Sequence, residues 1–152
     1  MPGPVTVGPK RGRSGELRPV EKVLLVLEVF LLVSALGGGM NYVLNPQQGN
    51  KGVPQVLRGT PFDSFLLPGM ALLVCNATPP LVAIVGTLQR RPWAEGAHVL
   101  VGLILMSWII VQVAFIGFGS WLPLQAFCLI LGVGIAALGV RSQRDARAAA
   151  ER

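Results

Sequence analysis

Four long apolar runs, set apart by polar or Gly/Pro-rich connections, account for most of the chain. The first goes from Val20 to about Leu44, the second from Pro68 to Leu88, the third from His98 to Phe118 and the fourth from Leu122 to Val140. A helix rises 1.5 Å per residue, so about 20 residues cross the hydrocarbon core of a bilayer. Each run therefore predicts a membrane-spanning helix. The expected fold class is all-α: a polytopic membrane protein built as an antiparallel four-helix transmembrane bundle with a short extracytoplasmic interfacial helix. Only Gly119-Ser120 and their neighbours separate runs three and four, so these two helices are expected side by side and antiparallel. The first run reads as a retained span, not a cleaved signal peptide. It follows a long basic region, carries Glu28 in its middle and exceeds the usual length of a signal-peptide core.

The connection between runs one and two is the long one. Asn45 to Gly52 is rich in turn formers. Beyond it, Thr60 reads as an N-cap, Pro61 as the first helical residue and Asp63 as the returning acid of a capping box. This predicts an interfacial helix over Pro61–Leu67, then a bend at Pro68-Gly69 into the second span. Inside that span, Pro79 and Pro80 remove the N–H groups that the carbonyls of Cys75 and Asn76 would meet, which predicts a helix kink.

Polar residues inside the spans follow a pattern. Each run has a strongly polar side chain on a face that also carries small residues. Glu28 lies within about 20° of Ala35 and Gly39 on a helical wheel. Asn76 shares a face with Gly69, Ala83 and Thr87, and Gln125 with Gly132 and Ala136. Gln112 lines up with Leu105 and Gly119, near Trp108 and His98. Small residues allow helices in lipid to approach closely, so all four polar residues are expected to face other helices. By helical rise, Glu28 lies about 12 Å from the cytoplasmic ends, and Asn76, Gln112 and Gln125 about 18–23 Å. The expectation is a layer of three amides with the carboxyl below it, at the level of the Pro79-Pro80 interruption. That set, Glu28, Asn76, Gln112 and Gln125, is the candidate intramembrane polar site.

Composition agrees with a membrane setting. Of the 152 residues, 52% are hydrophobic and 13% charged, about half the charged share of a soluble domain. The net charge of +6 flanks the apolar runs and has no basic, aromatic-interleaved face, so nucleic acid is not an expected partner. Lys10, Arg11, Arg13, Arg18, Lys22, Arg90, Arg91, Arg141, Arg144, Arg147 and Arg152 fall on one side, and Lys51 and Arg58 on the other. Cytoplasmic loops attract Lys and Arg, so both termini are expected in the cytoplasm of a multi-pass protein of the cell (inner) membrane. Residues 1–18 are expected as a disordered basic tail, 19–140 as the transmembrane domain and 141–152 as a basic tail prolonging the last helix. Expected partners are the lipid bilayer, anionic lipid headgroups through the basic tails, and a membrane protein partner or a second copy of the chain.

Little in the chain points to catalysis. A carboxylate within a span is costly and marks Glu28 as a functional candidate that can titrate, snorkel, or pair with Lys22 or His98. His98 is the only histidine and reads as an interface residue. With no acidic cluster beside it, neither a metal site nor any cofactor is expected. Cys75 and Cys128 read as small apolar-run residues, and a disulfide would require adjacent helices at matched depth. No phosphate loop, nucleophile elbow or carboxylate pair is present. An enzyme is not expected.

The stretches from Thr60 to Gly69 and from Ser107 to Gly117 resemble segments of small, uncharacterised four-helix bacterial integral membrane proteins, a resemblance that continues loosely over spans two to four. Such proteins carry a Gly/Asn-rich centre in span two, where this chain has Asn76-Ala77-Thr78-Pro79-Pro80. The resemblance implies a bacterial cell membrane and a four-helix bundle, and brings no activity. The Leu27-Glu28-Val29 segment is also similar to the first span of small multidrug-resistance transporters, whose later aromatic pattern this chain lacks. Two functions are expected from different classes. The first is a non-enzymatic accessory or interaction protein. The alternative is a small proton-coupled transporter or channel using Glu28 as titrating group. A disulfide oxidoreductase working through Cys75 or Cys128 comes third.

Overall fold

The computed structural model describes residues 16–49, 52–118 and 122–151. Their regular structure is helical, with no strand among them. The four main helices are α1 (Pro19–Leu44), α2 (Leu66–Leu88), α3 (Ala94–Ile116) and α4 (Leu122–Ala150). All four are long and apolar enough to cross a membrane. Each expected apolar run lies within or across one helix. Residues 1–15 of the expected disordered tail, and the Gly119-Ser120 turn, lie outside the described residues.

Helix α1 starts with Pro19 at its first position, where the missing N–H is no loss. Glu21 reaches back to accept the Arg18 backbone N–H at 2.7 Å, half of a capping box. Helix α3 ends on Gly117, whose φ of 70° suits a residue without a Cβ. Helix α4 runs on to Ala150, well past the apolar run, so the C-terminal tail continues it for nearly three turns.

The helix expected over Pro61–Leu67 is not formed. Residues 61–65 are irregular, and α2 begins at Leu66. Thr60 caps nothing: its hydroxyl donates to the Leu57 carbonyl at 2.8 Å and accepts the Phe62 N–H at 3.3 Å, closing a local turn. The Phe65 N–H then donates to the Pro46 carbonyl at 2.9 Å, pinning the segment beneath the end of α1. Regular structure earlier in this connection is a 3-10 turn at Gln55–Leu57. Nor do Pro68 and Gly69 form a separate bend. They sit in the first turn of α2, where a proline leaves no hydrogen bond unmade.

Within α2 the consequence of Pro79 and Pro80 is a π-turn at Leu73–Ala77, immediately before them. The Cys75 carbonyl faces Pro79 in an α register and Pro80 in a π register, so neither supplies a donor. Widening the helix by one residue is a common response to such a break in the ladder.

The helices meet along the small-residue faces. In α1 the buried residues are Leu24, Glu28, Leu31, Ala35 and Gly39, the expected stripe. Gly39 packs against Leu73, and Gly69 against Tyr42, bringing α1 and α2 close. A Cβ on Gly102 would lie 2.5 Å from the Gly132 carbonyl and 2.6 Å from the Ala136 nitrogen. Gly139 touches Val99 and His98 in the same way. As residue numbers rise along α3, those of its contacts on α4 fall. Leu24, Leu31, Ala83, Val101, Leu105 and Ile135, drawn from all four helices, form the apolar core.

Candidate intramembrane acid–base site

The wheel pattern of α1 carries Glu28 inward, where its side chain is 0% exposed. From α3, His98 comes in at the same level, 1% exposed. Its Nδ1 lies 2.7 Å from Glu28 Oε1, inside the range of a charge-assisted hydrogen bond. On the other side of the ring, Nε2 lies 3.0 Å from the Thr87 hydroxyl of α2. Thr87 is itself buried, near the end of a face that also includes Asn76 and Ala83. Three helices thus contribute to one chain, Glu28–His98–Thr87.

A threonine hydroxyl has one proton. Thr87 can donate it to the Ala83 carbonyl at 2.9 Å. Towards His98 it accepts from an Nε2–H, or donates to a bare Nε2, according to the tautomer of the ring. With a hydrogen on Nε2, the proton between Nδ1 and Oε1 rests either on the ring, giving imidazolium and carboxylate, or on the acid, giving two neutral groups. Both forms are neutral overall, which is how an acid and a base together avoid the cost of an isolated charge in a low-dielectric interior.

Toward the chain termini, a second polar cluster ties three helices together. The Arg18 guanidinium donates to Glu21 (2.8 Å) on its own helix and to Glu95 (2.7 Å) on α3. It also donates to the hydroxyl (3.0 Å) and carbonyl (3.3 Å) of Ser142 on α4. Burial would lower the basicity of this guanidinium. The hydrogen bonds and negative charges of Glu21 and Glu95 outweigh that and hold its pKa above the ordinary value. Arg18, Glu21 and Glu95 line a cleft of about 510 Å³ together with Arg90 and Arg91, and its wall includes Thr87 and His98. The cleft therefore leads from the polar surface to the far side of the imidazole from Glu28.

The expected amide layer is not assembled. Among the described residues, no hydrogen bond joins Asn76, Gln112 and Gln125 to one another. Asn76 is buried with neither end of its amide partnered, and Glu28 Oε2 and Gln125 Oε1 are likewise buried without partners. Gln125 donates to the Gly117 carbonyl at 3.0 Å, an intrachain tie to the end of α3. Gln112 is half-buried. Of the alternatives for Glu28, the structure selects His98. Sequence reasoning placed Thr87 only on a face and left out Glu21, Glu95 and Ser142. The signal present was helical phase: Ser142 follows Gly132 and Gly139 on the buried stripe of α4.

Among the described residues no group of three His, Cys, Asp or Glu side chains comes together as a metal site. Cys75 is exposed and Cys128 half-buried, both as free thiols. The chain matches no known protein-family model, no curated protein and no solved structure.

Proposed function

We propose that this chain is a non-enzymatic accessory or interaction protein of the cell membrane. It is an antiparallel four-helix transmembrane bundle with both termini in the cytoplasm, following the asymmetry of its Lys and Arg residues. One observation carries this reading. Helix α4 continues without a break to Ala150, and Arg18 binds it to α1 at Ser142. The exposed Arg141, Arg144, Asp145 and Arg147 are therefore presented on a rigid helix, held at a fixed angle to the bundle. Such a handle suits a protein partner, with anionic headgroups beneath it. A photo-crosslinker at Arg144, activated in native membranes, is expected to give one discrete protein adduct that Arg18→Ala weakens. Lipid adducts alone would contradict the reading.

The Glu28–His98 pair favours a second reading, a small proton-coupled transporter or channel. That reading requires proton flux through reconstituted vesicles, abolished by Glu28→Gln.

A further inference from the structure

The Glu28–His98–Thr87 chain has features that a merely structural tie does not need. Its imidazole forms part of the wall of a cleft that opens at the end of the bundle bearing the chain termini. Its carboxyl keeps one oxygen, Oε2, buried and unpartnered. Its far ring nitrogen, Nε2, is held from the α2 side by the Thr87 hydroxyl at 3.0 Å. On the opposite side, Leu31 on α1 and Val101 on α3 stand about one turn outward and Leu105 about two, all buried. Polar access therefore exists on one side of the pair and an apolar plug on the other.

We propose that this chain is a proton-binding site loaded from the cytoplasm alone, a sensor of cytoplasmic acidity that sets the α1–α3 joint. The inference rests on the orientation given above and deepens the accessory reading by naming its regulator. The balance is simple. The neutral pair holds one shared proton between Nδ1 and Oε1. Uptake of a second gives a carboxylic acid with its hydrogen on Oε2 and an imidazolium whose Nδ1–H still donates to Oε1. The contact survives, but a pair that was neutral overall now carries one positive charge in the interior, a cost that weakens the joint. Release of that proton restores the pair. No other group changes.

Among the described residues, the charges lining the cleft nearly balance. At the start of α1 and just before it, Glu21 and Glu16 oppose Arg18; the turn after α2 brings Arg90 and Arg91; α3 brings Glu95; among the described residues α4 lines the cleft with Ala146 and Ala149. Three arginines therefore meet three glutamates, and the cleft neither strongly attracts nor repels a proton. Cys128 of α4 packs against the core about three turns along that helix from Gly139, the residue that meets His98.

The test uses the full chain in vesicles whose orientation is fixed independently by trypsin access to the C-terminal arginines. Infrared difference spectra, with Glu28→Gln to assign the carboxylic-acid band, read the carboxyl. The band is expected to grow when the side bearing the termini is acidified and to stay unchanged when only the opposite side is. The lone histidine gives a second readout. In ¹⁵N spectra the hydrogen bond at Nε2 should be lost in Thr87→Val and restored in Thr87→Ser. A band that follows the opposite side, or both sides, overturns the one-sided site and supports conduction. A band that never changes between about pH 4 and 9 overturns proton binding altogether, and leaves the Arg144 crosslink, and with it the accessory reading, unaffected.

Discussion

The two halves of the transmembrane region treat their polar side chains in opposite ways. In the half nearest the termini, polar groups from different helices bind one another. Arg18 joins α1, α3 and α4, and Glu28, His98 and Thr87 join α1, α3 and α2. In the far half, Asn76 is buried with no partner for its amide, and Gln125 binds only the end of the neighbouring helix. A polar group in hydrocarbon stabilises a fold when it is satisfied and costs free energy when it is not. The same residue chemistry should therefore act with opposite sign in the two halves. The near half is a set of locks. The far half is held by shape.

The comparison can be broken by substitution. The largest expected effect is at His98. Replacing it with Leu leaves Glu28 alone in the interior and should destabilise the fold by about 3–5 kcal/mol, the cost typical of orphaning one member of a buried pair. Unfolding in mixed micelles would measure it. Next is Gly102→Ala. Its methyl group would meet backbone atoms of Gly132 and Ala136, so overpacking should cost about 1–3 kcal/mol. Gly134→Ala, which meets nothing within 4 Å, should cost no stability in the same unfolding assay. Asn76→Leu should go the other way, gaining up to about 1–3 kcal/mol as a buried unsatisfied amide is removed. A loss there would mean that the amide has partners and that the two halves are alike. The smallest effect is Gln125→Leu, a loss of about 0.6 kcal/mol for one interhelical hydrogen bond in a membrane.

The sequence contained the helices and their buried faces, since period and length decide both. Glu28, Ala35 and Gly39, and Gly69, Asn76, Ala83 and Thr87, lie inward as their spacing requires. Depth counting did less well. It put the three amides in one layer, but hydrogen bonding depends on side-chain reach and on which helices are neighbours, and neither is periodic. The Thr60-Pro61-Phe62-Asp63 segment had the composition of a helix start. Competing local bonds to Leu57 and Pro46 turned it into a loop. The pairing of Arg18 with Glu95 and Ser142 spans most of the chain and left no local trace.

The claim that Glu28 and His98 are the principal lock is tested most directly by a double-mutant cycle with Glu28→Leu, His98→Leu and the two combined, read as unfolding free energy in micelles. A coupling of about 3 kcal/mol is predicted, with the double variant close to wild type because a neutral apolar contact replaces a neutral polar one. Single effects that add to within about 0.5 kcal/mol would show two independent side chains and contradict the account.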